Sequence, residues 1–461
     1  MEQSSQSATG VMKHTTKVAL KRDLGLWSAL ALVIGTIIGS GIFFKQASVL
    51  DAAGGTTMAL GAWLLGGIIT LTSGLSIAEI GSQMPETGGL YHYMENMYNK
   101  FWGFLSGWMQ IIVYGPSMIA SLALYLGVLV TDFFGIGNKW LVPVGLIAIA
   151  FIGLINFLSN RFGASIAIII TLCKLVPITM IIVFGLFFGN GNAFGQSVQH
   201  ITSQAGSGFG VAVLATLFAY DGWVLVANMG GEIKNPKKML PKAIGLGILL
   251  VSVIYLLVTF GIYRVMPAAE IHRLGQNATP AFAKLAFGGL GGKILNIGII
   301  ISILGCMNGK IMTFPRIMWK MADNKELPFS DKLAYINKKT LSPIYAIVTV
   351  LGIAMLLVLF ANPDRLSDLC ITTVYIFYVM AFVGLFKLRR REQTTAQIDK
   401  QSFRVPFYPL TPIIAILGAG FVIFSEVIND PMGILFSIII VASGIPIYYY
   451  FKKKHAQPVA H

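Results

Sequence analysis

Three groups of residues in this 461-residue chain have types and spacings suited to chemistry. In Gly35-Thr36-Ile37-Ile38-Gly39-Ser40-Gly41-Ile42-Phe43, two glycines flank a serine inside an apolar run where a regular helix is otherwise expected. Glycine tolerates irregular backbone and close approach. A helix opened here would turn free N–H groups and the positive end of its dipole toward an anion such as a carboxylate. The alternative is a small-residue packing stripe, since Gly35 and Gly39 have the G-x-x-x-G spacing. Ala219-Tyr220-Asp221-Gly222-Trp223 interrupts a later apolar run in the same manner. Carbonyls released near Phe218, Ala219 and Tyr220 would accept from an ammonium group. The two breaks therefore offer opposite poles, as an amino acid zwitterion requires and a sugar does not. Asp221 either meets the ammonium or caps the half-helix that follows, a position Asp favours. Phe218 either closes over a ligand or is an ordinary packed aromatic.

Lys174 is the third group. A lysine in mid-membrane costs about 2.5–3.5 kcal/mol on insertion scales, and about ten residues separate it from the helix end, too far to reach the surface. It must face carbonyls or a carboxylate inside the protein. There it either replaces a bound cation between helices or serves as a plain interhelix bridge. Lys310, beside Asn308 and Gly309, lies nearer the inner end of its helix, from which it is expected to snorkel. Glu79 either pairs with a basic loop residue or joins a gate. His92, His200 and His272 fall in loops without ligand spacing, and Cys173, Cys306 and Cys370 have unrelated spacings, so neither a metal site nor a disulfide framework is expected. No nucleotide-binding or hydrolase motif is present, and neither enzyme activity nor a cofactor is expected.

The elements that must position these groups are membrane helices. Hydrophobic residues make up 55% of the chain and charged ones 11%, against about 25% charged in soluble domains. Spans of about 20 apolar residues place twelve helices at 24–50, 58–82, 101–130, 139–157, 164–188, 208–232, 241–264, 291–319, 342–360, 367–388, 408–428 and 432–451. A tail at 1–23 precedes them and another at 452–461 follows. Short helices are expected across 268–287, and a turn with an amphipathic run across Pro85–Tyr98. Twelve spans put both termini on one side. If that side is cytoplasmic, most of the 34 lysines and arginines fall in inner segments, including Lys13, Lys17, Lys21 and Arg22, Arg161, the group Lys234–Lys242, Lys338 and Lys339, Arg389–Arg391, Lys400 and Lys452–Lys454. This agrees with the positive-inside rule. The net charge of +15 then reflects inner loops rather than nucleic acid.

Five helices separate the two interruptions, so the second copy enters from the opposite side. Repeat one covers about 24–188 and repeat two about 208–388, followed by two further helices at 408–451. Paired broken helices in corresponding halves mark an inverted-repeat transporter and its site. At about 1.5 Å per residue, Gly39, Ala219 and Lys174 all lie near mid-bilayer.

At these residues the chain resembles the L-type amino acid transporter family of the amino acid–polyamine–organocation (APC) superfamily. The markers are the Gly35–Phe43 stretch, Pro85–Tyr91, Lys174 and Phe218–Trp223. Within that family it looks most like the bacterial alanine–serine–cysteine and serine/threonine exchangers. The resemblance implies an all-α LeuT-like 5+5 fold with helices 1 and 6 discontinuous. It also implies sodium-independent exchange of small neutral L-amino acids across the plasma membrane. It assigns the substrate carboxylate to Gly39, Ser40 and Gly41, and the amine to Ile37, Phe218 and Ala219. Phe218 is the gating aromatic, and Lys174 takes the place of a sodium ion near Gly35, between helices 1 and 8. Two departures stand out. Animal members usually have Gly where this chain has Asp221. They also carry a cysteine for heavy-chain linkage in the loop that here runs from Thr131 to Leu141 without one. A stand-alone, monomeric, prokaryotic carrier is therefore expected. A proton-coupled symporter and a non-transporting amino acid receptor are the competing readings.

Overall fold

The computed structural model describes residues 24–86, 88–158, 170–198, 208–337, 339–340, 342–360, 362–395 and 401–456. The 1–23 tail, the start of the fifth expected helix, and Arg161, His200, Lys338 and Lys400 lie outside these residues. So does the end of the 452–461 tail.

Described residues fold as helices, with only isolated bridges, such as Leu24 to Ile233, in place of strands. In chain order the helices are α1 (Leu26–Ile37), α2 (Gly41–Ala53), α3 (Thr56–Gln83), α4 (Gly89–Met97), α5 (Lys100–Met109), α6 (Gly115–Phe134), α7 (Leu141–Leu158), α8 (Leu175–Phe188), α9 (Phe209–Tyr220) and α10 (Pro236–Val265). There follow α11 (Ala268–Leu274), α12 (Ala278–Asp323), α13 (Ser330–Leu333), α14 (Ile344–Phe360), α15 (Pro363–Thr395), α16 (Leu410–Asn429), α17 (Pro431–Ala442) and α18 (Gly444–Ala456). Among the described residues ten helices are long and apolar enough to cross a bilayer. The pair α1–α2, bent by 45°, makes an eleventh span. A count of twelve rests on adding α14, whose 17 residues fall just below the usual spanning length. The expected short helices over 268–287 take the form of α11, a 3₁₀ turn at Gly275–Asn277 and the first part of α12. That long helix is interrupted at Gly288, whose φ is 66°. Lys452, Lys453 and Lys454, expected in a tail, continue α18.

Each irregularity has a local cause. Ile38 leaves the helical region with ψ 100°, and Gly39 and Ser40 follow before α2 begins. After α9, Asp221 is extended (ψ 152°) and Gly222 takes φ 117°, a backbone state open to glycine at little cost. The chain then winds as a 3₁₀ helix over Trp223–Glu232. Between α5 and α6 lies a π turn, Gln110–Tyr114. Pro116 in the first turn of α6 lacks an N–H and crowds the preceding carbonyls, which favours the wider winding.

The core behind the breaks is aromatic. Trp63 of α3 meets Tyr220 and Tyr255 edge-on at centroid distances of 6.0 and 5.6 Å, and the two tyrosines lie 5.0 Å apart. At one end of the bundle Lys234 N–H donates to the Leu24 carbonyl at 2.8 Å, tying the start of α1 to the chain just past the 3₁₀ segment. At that same end Glu79 of α3 is fully buried. It accepts two bonds of 2.7 Å from Arg389, one of 2.7 Å from Val405 N–H and one of 3.4 Å from Arg404. Pairing with a basic residue, one of its two expected roles, is what the fold displays.

Candidate functional site

The two breaks touch. A Cβ built on Gly41 would stand 2.3 Å from Ala219 Cα, and one on Gly222 would stand 2.4 Å from the Thr36 carbonyl oxygen. Thr36 Oγ1 donates to the Gly222 carbonyl at 3.0 Å. Tyr255 of α10 sets its hydroxyl between both breaks, 2.9 Å from the Ala219 carbonyl and 3.3 Å from that of Ile37. Gly41→Ala is therefore expected to push the breaks apart, because the clash is with backbone. Overpacking of this kind costs about 1–3 kcal/mol, so a lowered melting temperature together with lost transport is the expected outcome.

Helix ends of opposite sign meet at this contact, the start of α2 and the ends of α1 and α9. The amides of Ser40, Gly41 and Ile42, at the start of α2, have no intrahelical acceptor by helix geometry, whereas Phe43 and Phe44 return to the Ser40 carbonyl at 3.0 Å. Ser40 Oγ is buried without a partner. On the other side lie Ile37 at the end of α1 and Phe218, Ala219 and Tyr220 at the end of α9. The Phe218 carbonyl already accepts Asp221 N–H at 3.2 Å. The Tyr220 hydroxyl donates to the Trp63 carbonyl at 3.1 Å, so only its backbone adjoins the break.

Lys174 is fully buried. Its Nζ donates to the carbonyls of Gly35 and Ile38, both at 2.7 Å. These are acceptors left over where α1 ends, the negative end of its dipole. Two groups from α12 complete the surroundings: Ser302 Oγ approaches the Ile38 carbonyl at 3.4 Å, and Cys306 Sγ the Thr36 carbonyl at 3.1 Å. An ammonium thus holds a carbonyl-lined niche between α1, α8 and α12.

Asp221 and Lys310 depart from their sequence-based readings. Asp221 caps no helix by its side chain; Gly222 occupies the N-cap position of the following segment. Its Oδ2 accepts from Lys310 Nζ at 2.8 Å, with both side chains 2% exposed, and its Oδ1 accepts from Tyr114 at 2.5 Å. Lys310 does not snorkel because this carboxylate is within reach. Asp221 is accordingly neutralised before any ligand arrives.

A second charged group lies at the opposite end from Glu79. Lys45 of α2, 1% exposed, donates to Asp364 at 2.8 Å and to Asp368 at 3.2 Å, both on α15. Tyr125 and Gln276 complete Asp364 at 2.7 and 2.6 Å, and Thr279 donates to the Phe43 carbonyl. The Phe218 ring lies beneath this group, its centroid 5.3 Å from Lys45 Nζ. Sequence reasoning passed over Asp364, Asp368 and Tyr255. The available signal was the i, i+4 pair of carboxylates entering an apolar helix, matched by one lysine just beyond the first break. Among the described residues no cluster of three metal-ligating side chains occurs.

Comparisons with known proteins agree with this architecture. The amino acid permease family model matches residues 24–445. The chain is 48% identical over 443 residues to the serine/threonine exchanger SteT of Bacillus subtilis (strain 168), covering 96% of this chain and 100% of that protein. It is 29% identical to the b(0,+)-type amino acid transporter 1 of Mus musculus, covering 95% of this chain and 90% of the other. With the cystine/glutamate transporter of Homo sapiens it shares 26% identity, with coverage of 94% and 86%. The chain belongs to the amino acid permease family of the APC superfamily and is a transmembrane amino acid transporter.

Proposed function

We propose that the chain is a sodium-independent antiporter exchanging small neutral L-amino acids, such as alanine, serine, threonine and cysteine, across the plasma membrane by alternating access. The observation that carries this reading is Lys174. Its ammonium sits on the Gly35 and Ile38 carbonyls, where a sodium-coupled carrier would need a cation. The likeness to a serine/threonine exchanger at 48% identity supports the substrate class.

In this reading α1–α2 and α9 with its 3₁₀ continuation are the paired broken helices of a twelve-span 5+5 inverted repeat. The substrate carboxylate meets the amides of Gly39, Ser40 and Gly41, and the ammonium meets the carbonyls of Ile37, Phe218 and Ala219. Phe218 closes the site beneath Lys45. The Glu79 end faces the cytoplasm with both termini, which places the Lys45 group on the outside, where it shuts the passage. Lys45→Met is expected to leave two carboxylates without their cation and to speed opening on that side. Labelling of a cysteine placed at Phe218 by an outside thiol reagent would measure this. The carrier works as a single chain.

Reconstitution into proteoliposomes tests the whole reading. Labelled serine should enter only vesicles preloaded with amino acid, and replacing sodium with choline should change nothing. Equal uptake into empty vesicles would overturn exchange, and binding without counterflow would indicate a receptor. Accumulation driven by a pH gradient alone would favour a proton symporter.

A further inference from the structure

The Glu79 end of the bundle carries a device that the binding site does not use. Helix α4 lies across the 3₁₀ segment that continues the second break. Gly89 is pressed against the Asn228 side chain with no room for a Cβ, and a Cβ on Gly230 would stand 3.2 Å from the Pro85 carbonyl. The Asn228 amide is buried there without a partner. In the transport reading a passage from the breaks to this end runs past the 3₁₀ segment and opens when α4 moves off it. One contact ties α4 to the far end of α12. The Tyr91 hydroxyl, buried with its ring, donates to Glu326 Oε2 at 2.9 Å and accepts from Asn324 Nδ2 at 2.7 Å.

We propose that Tyr91 and Glu326 form a proton-operated latch that holds this end shut when the adjoining solution turns acid. The proposal rests on the transport reading above for its consequence and on this contact for its existence. Burial raises the Glu326 carboxyl from the ordinary 4.5 to about 7 in the shut arrangement. The groups facing it are Tyr91 and Glu95 of α4, Lys100 at the start of α5, Lys320 in the last turn of α12 and Tyr448 of α18. The negative Glu95 pushes in the same direction as burial, while the Tyr91 hydrogen bond, Lys100 and Lys320 oppose it without cancelling it. Released into water, the carboxyl returns toward its ordinary value.

The direction of the effect follows from linkage. Between about pH 4.5 and 7 the shut form keeps a proton that the open form has lost. The preference for the shut form is therefore fully present below that interval. It declines as pH rises through it and is smallest above 7. Protonation does not break the contact, since the neutral acid still accepts from Tyr91 through its carbonyl oxygen. Ionisation above 7 leaves a partly desolvated carboxylate that gains by moving into water.

Amide hydrogen exchange of residues 88–97 in the lipid-reconstituted full chain, corrected for intrinsic pH dependence, tests the latch without requiring transport. The wild type should be several-fold better protected at pH 6 than at pH 8. Glu326→Gln, permanently neutral, should show the pH 6 protection at both values. Tyr91→Phe, which keeps the ring and loses the hydroxyl, should be less protected at both. A pH-independent wild type, a pH difference that persists in Glu326→Gln, or unchanged protection in Tyr91→Phe would each overturn the latch. Serine counterflow in the same vesicles should slow several-fold when the solution at this end goes from pH 8 to 6. Intact pH-dependent protection without any counterflow would leave the latch standing and remove the transport reading instead.

Discussion

Lys174→Ala is expected to slow amino acid exchange by roughly tenfold or more, a loss of at least about 1.4 kcal/mol in the limiting step. The ammonium supplies two charge-assisted bonds of 2.7 Å to carbonyls that end α1, and among the described residues no other cation donates to them. Without it the Gly35 carbonyl loses its donor and that of Ile38 keeps only the 3.4 Å bond from Ser302, an unpaired group costing about 1–3 kcal/mol. The variant also no longer carries the cost of burying a charge, about 2.5–3.5 kcal/mol on insertion scales. These terms largely offset one another in folding, whereas the hold on the first break is simply lost. Counterflow should therefore fall much further than thermal stability. Normal turnover in the variant would refute the assigned role, and a large loss of stability with residual exchange in proportion to folded protein would make Lys174 a structural bridge.

Lys310→Met should have the opposite profile, with the larger effect on stability. It leaves Asp221 buried with only the Tyr114 hydroxyl for company. Removing one member of a buried pair costs about 3–5 kcal/mol. The double variant Asp221→Asn with Lys310→Met removes both charges and should recover most of that loss. Melting temperatures of the two single variants and the double variant form the cycle that measures it. Additive losses would show that the two groups do not compensate each other.

The parts of the site that were legible in the sequence are those that violate a local rule. Gly39-Ser40-Gly41 and Asp221-Gly222 break helices where hydrocarbon demands continuity, and Lys174 places a charge ten residues from any interface. Such violations are visible one residue at a time. Tyr255 violates nothing, since a tyrosine in an apolar helix is ordinary until its hydroxyl is seen between two carbonyls. Lys45, Asp364 and Asp368 each lie near a helix end, where a charge is expected to reach water. The burial of Lys45 against the two half-buried carboxylates follows only from chain 319 positions apart folding back. Asp221 could be read as a cap because capping is a local property, while its true neighbour stands 89 residues further on. Local chemistry was readable; pairing across the chain was not.

The buried carboxylate of Glu79 has a consequence for how the protein is made. Its main partner, Arg389, lies 310 residues downstream. At a synthesis rate of about 5–20 residues per second, that interval is on the order of 15–60 s. Throughout it α3 is already in place with an acid that has no guanidinium to meet, and Lys45 waits as long for α15. The early helices must therefore keep these groups near water, or in the shelter of the insertion machinery, until the tenth expected span arrives. A nascent chain stopped short of α15 holds unsatisfied charges of both signs, which gives membrane quality control a ready means of telling an unfinished carrier from a finished one.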